Sequence, residues 1–467
     1  MIAALLLLLM ISSSLNVQSQ VSRSAWFLED LPGSNTLNPA FNPSCRFYVN
    51  LPVISSFYLG FESPFTFNDL TEPYPTGDSL YIDRETVLSR LNERNYFSFE
   101  LYNELGKTGV RFGRHHLDFS ITKVFSTKFS FDEKFIRLLL YGNGSPAFLG
   151  KHIEINGNGL NMTSYHQFAF GYALDISDRF TAGMKFKYLN GAFNIWTEKA
   201  DISLFTDPNS GYALTVSSDI RLHTSSTISD FDNLIDQIEN YRWFDLTSNH
   251  GYAFDVGWKY NLSEKVGLSG SVIDMGSIFW RQNVKNFKSS DPGKEFTFTG
   301  FDIDYFINDN TFGDSISIAD TLAKHFGLDE IQEAYRSRLN PKIYLGGLYR
   351  ITPKDHFGLL VRNDIAEKSL HPSFTVSYLR YFGELASLYI NYSVLSNNYF
   401  NFGFGGSVRI GPVEAYILND MAYALLEPSR SRSYNIHFGI TFLFGKGRVI
   451  ETPEEDSGRS FETENGM

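Results

Sequence analysis

One feature restricts this chain more than any other: alternation with a period of two, returning in stretches of about ten residues. Tyr434 to Phe444 shows it most clearly. Tyr434, Ile436, Phe438, Ile440, Phe442 and Phe444 form one set, and Asn435, His437, Gly439, Thr441 and Leu443 the other. Successive side chains on a β-strand point to opposite faces, so one face is aromatic and branched while the other is small or polar until Leu443. A tilted strand of about 9–11 residues spans a bilayer's hydrocarbon core. One such strand suits a soluble sheet; many in one chain do not.

The pattern recurs. Phe168, Phe170, Tyr172, Leu174 and Ile176 oppose Gln167, Ala169, Gly171, Ala173 and Asp175, and Ser177-Asp178-Arg179 makes a turn. Phe180, Ala182, Met184, Phe186 and Tyr188 then oppose Thr181, Gly183, Lys185 and Lys187. Small residues and lysines on one side, aromatics on the other, is the lumen-versus-lipid division of a membrane barrel. Tyr252 to Leu262 repeats it. From Ile343 the strands follow quickly: 343–351, 357–362, 374–381, 388–394, 400–410, 413–418 and 434–444. Short turns at Thr352-Pro353-Lys354-Asp355, Gly383-Glu384, Ser396-Asn397-Asn398 and Gly411-Pro412 make these antiparallel neighbours.

Composition agrees. In 467 residues there are 43 Phe, 26 Tyr and 37 Gly, with only 20% charged. A formal net charge of −12 excludes a nucleic-acid partner, which needs clustered positive charge. The single cysteine, Cys45, excludes an intramolecular disulfide and a cysteine zinc cluster; it reads as a small buried strand residue. Met1 to Ile11 is apolar, and Ser12-Ser13-Ser14 and Val17-Gln18-Ser19-Gln20 follow, the pattern of a signal peptide cut after Ser19. That gives residues 1–19 as signal, 20–445 as barrel and 446–467 as a disordered acidic tail.

Between these landmarks the reading is coarser. Leu31-Pro32-Gly33 through Asn42-Pro43-Ser44 is a loop by its turn residues. Arg46 to Leu51 and Val53 to Glu62 are strands interrupted by Pro52, and 64–78 is turn-rich. Asp83 to Asn95 is helical, with Asp83 as N-cap. His116 to Phe131 alternates, and Phe135 to Tyr141 is a short helix or strand. Two insertions, Ile228–Tyr241 and Ala319–Arg336, carry apolar residues at helical spacing. Gly-Tyr-Ala at 171, 211 and 251 is read as three strand starts rather than a duplication. The expected fold is all-β, a single transmembrane antiparallel barrel of about 14 strands (12 and 16 are the alternatives) with short helical insertions. Parity is a difficulty. The turns near Ser177 and Ser263 belong at one end, yet the 228–241 insertion must return the chain without crossing.

Several motifs together resemble a known family. Asn38-Pro39-Ala40 with Leu51-Pro52, Ile82-Asp83 through Leu91, Gly183-Met184-Lys185-Phe186-Lys187-Tyr188-Leu189-Asn190-Gly191, and Asp255-Val256-Gly257 with Asp274-Met275-Gly276-Ser277-Ile278-Phe279-Trp280 are similar to Bacteroidetes-type outer-membrane barrels of unknown function. Those barrels look related to long-chain fatty-acid transporters, and more loosely to gliding and type IX secretion barrels. The resemblance implies an outer-membrane location and a barrel, and supplies no reaction.

No phosphate loop or His-Glu-x-x-His site occurs. His115-His116 would face opposite sides of a strand. His437 lies on the polar face of its strand, and His371 precedes Ser373, but no order of residues marks a triad. Asp302, Asp304, Asp309 and Asp314 read as a solvated acidic loop rather than a calcium site. No catalytic, cofactor-binding or metal residue is assigned, and no enzyme activity or cofactor is expected. Three functions stay in play: passage for small hydrophobic compounds, a structural or docking barrel of an envelope assembly without transport, and a lipid-modifying enzyme. The expected partners are the outer-membrane bilayer in every case, a hydrophobic small molecule for the first and an envelope protein for the second. An apolar pocket lined by inward aromatics supports the first. A lumen filled by side chains or by the N-terminal segment supports the second.

Overall fold

In the computed structural model, residues 23–51, 55–73, 80–81, 83–226, 246–298, 327–366, 369–395 and 398–445 are described. The signal segment, the acidic tail, the 228–241 insertion and the four aspartates from Asp302 to Asp314 lie outside them.

The chain is a closed antiparallel barrel of 14 strands. β1 is in two pieces (Phe47–Asn50 and Ser56–Glu62), followed by β2 (Arg94–Phe112), β3 (His115–Asp132), β4 (Gly159–Asp175) and β5 (Phe180–Thr206). β6 is again in two pieces (Leu214–Ser226 and His250–Asn261). β7 (Val266–Trp280) is continued by Asn286–Ser289 and Glu295–Phe298, and β8 comprises Leu328–Ile331, Tyr335–Arg338 and Lys342–Arg350. The rest are β9 (Asp355–Ala366), β10 (Ser369–Phe382), β11 (Ala386–Leu395), β12 (Asn398–Ile410), β13 (Val413–Asn419) and β14 (Ser433–Phe444). β14 closes on β1 in register Phe47↔Phe444 and Phe57↔Phe438. Closure pairs the first strand with the last, as a lipid environment demands of a spanning sheet.

The expected faces hold. Phe254, Trp258, Phe357, Val376, Ile390, Phe404 and Phe438 are exposed on the outer surface, whereas Lys185, Lys187, Asp255, Asn391 and His437 are buried. An apolar belt of this extent is far beyond what a water-soluble monomer shows and fits lipid. Among the described residues no helix is long and apolar enough to cross a membrane. His116 turns inward and is buried, while His115 meets the Tyr172 hydroxyl at 2.8 Å.

The parity difficulty disappears because the descending strand is interrupted, not doubled. Leu214–Ser226 pairs with β5 from Thr206 to Phe193, and His250–Asn261 resumes on β5 from Asn190 to Phe180. The insertion leaves and re-enters one strand. Asn249 closes the break: its amide donates to the Gly191 carbonyl (3.3 Å), and its Oδ1 accepts from the backbone N–H of Arg281 and Gln282 (2.8 and 2.9 Å).

Four sequence readings need correction. The helix at 83–95 is shorter (α2, Arg84–Ser89), following α1 (Phe67–Leu70). Asp83 caps α2 as expected, accepting from the N–H of Glu85 and Thr86. The 19-residue strand β2 was missed. Glu100, Glu104 and Lys107 face its lumen side, and a bulge between Glu104 and Gly106 shifts the alternation mid-strand. Leu328, Ile331 and Tyr335, expected on a helix, lie in pieces of β8. The Gly-Tyr-Ala triplets occupy a mid-strand, a turn (Gly211 and Tyr212 at positive φ) and a strand start. Residues 135–141 are helical, within α3 (Glu133–Tyr141).

Wall height is uneven. At about 3.3 Å per residue, the 27 residues of β5 run about 90 Å along the strand, whereas β13 has only 7 residues. The β2–β8 side therefore rises well past a hydrocarbon core of about 30 Å. α3 covers part of that rise, packing Phe135 and Leu138 on Ile155, Leu204 and Val216.

Candidate functional site

The segment read as an N-terminal loop fills the lumen. Residues 23–28 are all buried, and so are Leu31, Leu37, Ala40 and Phe41. Trp26 stacks on Tyr344 of β8 with ring centroids 5.1 Å apart, and Phe41 meets Trp26 edge-on at 4.9 Å. Leu360, Leu379, Tyr389, Tyr416 and Leu418 complete this cluster from the walls of β9, β10, β11 and β13. The inner wall over β7–β13 thus carries an apolar and aromatic patch among buried polar residues such as Ser271, Arg362, Thr375 and Asn391, and the chain's own N-terminal segment packs on that patch.

Polar groups fix the plug at three levels. The backbone N–H groups of Arg23 and Ser24 donate to the Asp420 carboxylate at 2.9 and 3.1 Å, with the Ser24 hydroxyl beside them. Asn35 accepts from Lys185 (2.9 Å), which is itself paired with Asp118 at 2.8 Å. Ser271 donates to the Leu37 carbonyl (2.6 Å), and Asn38 donates to the Trp258 carbonyl (3.1 Å). At this last level the wall is cut away to receive it. Gly183 and Gly257 are cross-strand partners on β5 and β6. A β-carbon on Gly183 would fall on Pro39 and lie 2.7 Å from the Ala40 nitrogen; one on Gly257 would strike Asn38 and lie 2.9 Å from Pro39 Cδ. Gly346 and Gly358 likewise leave room for the Trp26 and Phe27 rings.

Above the saddle lies a buried charge cluster. Lys187 bridges Asp255 (2.7 Å) and Asp274 (2.6 Å), and Lys342 reaches Asp274 at 2.7 Å. Two lysines against two carboxylates balance, as burial requires. Asp274 sits at φ 61°, rare for a non-glycine residue, and its N–H donates to Asp255 at 2.8 Å. The motifs that carried the family resemblance therefore converge. Asn38-Pro39 rests on Gly183 and Gly257, and Lys187 binds Asp255 and Asp274. Trp280 also fills the space a β-carbon on Gly191 would need.

With that convergence stated, the comparison with known sequences is decisive on one point. Residues 39–420 match a family of unknown function, DUF5723. The chain belongs to this family. No curated protein matches it in sequence. Among solved structures it is similar to the Ralstonia pickettii toluene transporter TbuX (8% identity, 89% of this chain, 94% of that chain, TM-score 0.40). It is also similar to a Pseudomonas aeruginosa FadL homologue (9%, 89% and 94%, 0.40) and to the Pseudomonas putida toluene transporter TodX (8%, 91% and 93%, 0.36). Identities and TM-scores are low, so the barrel described above rests on this chain's own strand pairing.

His437 lies on the lumen wall as its strand pattern predicts. Its Nε2 is 2.9 Å from the Ser56 hydroxyl and 3.1 Å from that of Tyr416. Its Nδ1 is buried with no hydrogen-bond partner among the described residues, so the carboxylate that would orient a catalytic histidine is not paired with it there. His371 and Ser373 both lie on β10.

At the loop end a cup of about 350 Å³ opens above the plug. Arg94, Arg430, Arg432, Glu62, Asn401 and Met421 are among its lining residues, and Met421 follows the plug's anchor Asp420 in the chain. Asp69 stands behind the rim at the third position of α1. Its carboxyl accepts from the Thr66 N–H at 2.9 Å and pairs with Arg90 at 3.0 Å. Burial pushes this carboxyl up, but the Thr66 hydrogen bonds and the Arg90 and Arg432 guanidiniums outweigh it and hold it below its usual range.

Proposed function

We propose that the protein is an outer-membrane barrel through which small hydrophobic compounds pass, closed at rest by residues 23–41. The observation that carries this reading is the character of the lumen wall. Water-filled barrels line the lumen with polar groups, whereas Tyr344, Leu360, Leu379, Tyr389, Tyr416 and Leu418 form an apolar face here. Undocking the plug would uncover that apolar patch to a solute entering the lumen. The short turns then face the periplasm, together with both ends of the barrel sheet, and the long loops face outward.

A second reading, a structural or docking barrel without transport, is favoured by the seating of the plug over wall glycines, which suits a permanent core as well as a gate. Uptake of the hydrophobic fluorophore N-phenyl-1-naphthylamine separates the two readings. Cells carrying the folded protein take it up faster than cells lacking it if passage is correct. Equal rates, with the protein present in its heat-modifiable folded form, reject passage and leave the structural barrel.

A further inference from the structure

On the outer wall, cations gather where the apolar belt ends. Along β6, β7 and β8 the exposed outward residues rise from Trp258, Leu268 and Tyr349 to Phe254, Met275 and Leu345. The next rows are of mixed character. Tyr252 lies opposite Ser277, and Ser277 opposite Arg338; His250 lies opposite Phe279, and Phe279 opposite Arg336. Tyr188 on β5 flanks them, its hydroxyl 2.6 Å from His250 Nδ1. Aromatic groups with a polar tip at the end of an apolar belt mark the level of lipid headgroups.

Three exposed guanidiniums stand at that level: Arg336 and Arg338 on β8, and Arg281 just past β7. Two of them share one ring. Arg336 lies 5.0 Å from the centre of the Phe279 ring and Arg281 lies 5.9 Å from it, within reach of a cation–π contact. Arg336 is further fixed by its Nε, which donates to the Ser277 hydroxyl at 2.7 Å. Its Nη donors have no hydrogen bond among the described residues. None of the three arginines has an ion pair among those residues either, although the chain carries 52 acidic groups against 40 basic ones. The cations inside the barrel are treated differently: Lys185 is matched by Asp118, and Lys187 by Asp255 and Asp274. Like charges held around one ring repel each other, and an anion placed between them relieves that repulsion. Forked guanidinium donors match phosphate oxygens.

We propose that these rows bind the anionic phosphate headgroup of a membrane lipid. Arg281, Arg336 and Arg338 hold its phosphate oxygens, and its acyl chains lie down the wall over Phe254, Met275 and Leu345. The occupant is a lipid rather than a free anion because the cations crown the apolar belt without a break, so one molecule reaches both. This inference rests on the reading of the chain as a membrane barrel and is independent of what passes through the lumen.

The test is native mass spectrometry of the folded full-length protein in neutral detergent, titrated with dioleoyl phosphatidic acid or, as control, zwitterionic dioleoyl phosphatidylcholine. Phosphatidic acid should be retained at a concentration about tenfold lower than phosphatidylcholine. Each basic group near an anionic lipid contributes about fivefold, so Arg336→Gln/Arg338→Gln should weaken retention of phosphatidic acid about thirtyfold. Both side chains are exposed, and heat-modifiable migration checks that the variant is folded. Arg114→Gln/Arg179→Gln removes the same charge at the short-turn end, where both residues are exposed, and should leave the affinity unchanged. Equal retention of the two lipids by the wild type, or an equal loss in both double variants, overturns the site. Competition by inorganic phosphate at the same concentration as phosphatidic acid overturns the lipid in favour of a soluble anion. Insertion into phosphatidylcholine vesicles is measured beside it. Failure to insert in the heat-modifiable form refutes the membrane barrel, whereas insertion without a lipid preference refutes this site alone.

Discussion

Filling the glycine saddle should release the plug. In the Gly183→Val/Gly257→Val variant, new side-chain atoms occupy the space held by Asn38, Pro39 and Ala40. The β-carbons alone would sit 2.7 Å from the Ala40 nitrogen and 2.9 Å from Pro39 Cδ, well inside a contact distance of about 3.5–4.0 Å. Overpacking at one site costs about 1–3 kcal/mol. The two sites are cross-strand partners pressing on the same residues, so their effects do not add, and about 2 kcal/mol is taken for both. Lifting the segment breaks the Asn38–Trp258 and Ser271–Leu37 hydrogen bonds in parent and variant alike, so they do not enter the difference between the two. The difference of about 2 kcal/mol raises the undocked fraction by about thirtyfold. Ser34 is fully buried in the plug, so Ser34→Cys in a Cys45→Ser background serves as the reporter. Maleimide should leave it unmodified in the parent and label it in the double valine variant. Equal protection in both proteins, with the barrel folded, refutes the claim that the saddle holds the plug.

Other perturbations have calculable outcomes. Asp420→Ala removes the acceptor for the N–H groups of Arg23 and Ser24 and for Asn391; a loss of about 3 kcal/mol should lower the thermal midpoint, and an unchanged midpoint contradicts the anchor. Lys187→Met leaves Asp255 buried without a counter-charge and should cost about 3–5 kcal/mol in denaturant unfolding. Adding Asp255→Asn to it should recover much of that loss, and no recovery means that the pair is not coupled. Asp69 titrates below its ordinary value of 3.8 in the folded protein, so its contribution is complete above that pH and is lost as pH falls through the lower folded value. Hydrogen exchange in α1 should therefore accelerate only below about pH 3.8, and Asp69→Asn should abolish that pH dependence.

Much of the barrel was legible because lipid imposes one rule on every strand. Where one face meets hydrocarbon and the other meets the lumen, alternation is forced, and 168–188, 252–262 and the strands after Ile343 show it openly. β2 escaped because a bulge shifts its phase and its inward residues are long and charged. Residues 328–338 escaped because two short strand pieces can mimic helical spacing.

The site was less visible. Asn38-Pro39, Gly183, Lys187, Asp255 and Asp274 were quoted as motif residues, yet no local pattern joins residue 38 to residue 257. The presence of Trp26 and Phe27 just ahead of the turn-rich stretch was the available signal. Aromatics in a loop that must run somewhere water is absent could have indicated a plug. The loop-end arginines come from two separate segments, at 94 and at 430–432, and carry no periodicity at all.

What the sequence determined by itself is the membrane barrel, through the periodicity of side chains against lipid, together with an approximate strand number. Tertiary structure alone decided three further matters. β6 is one strand broken by an insertion, because pairing with β5 continues across the gap. The N-terminal segment fills the lumen, because the closed sheet surrounds it and the paired glycines of β5 and β6 leave it room. Charged residues far apart in the chain neutralise one another inside, because burial leaves an unpaired charge no water to solvate it.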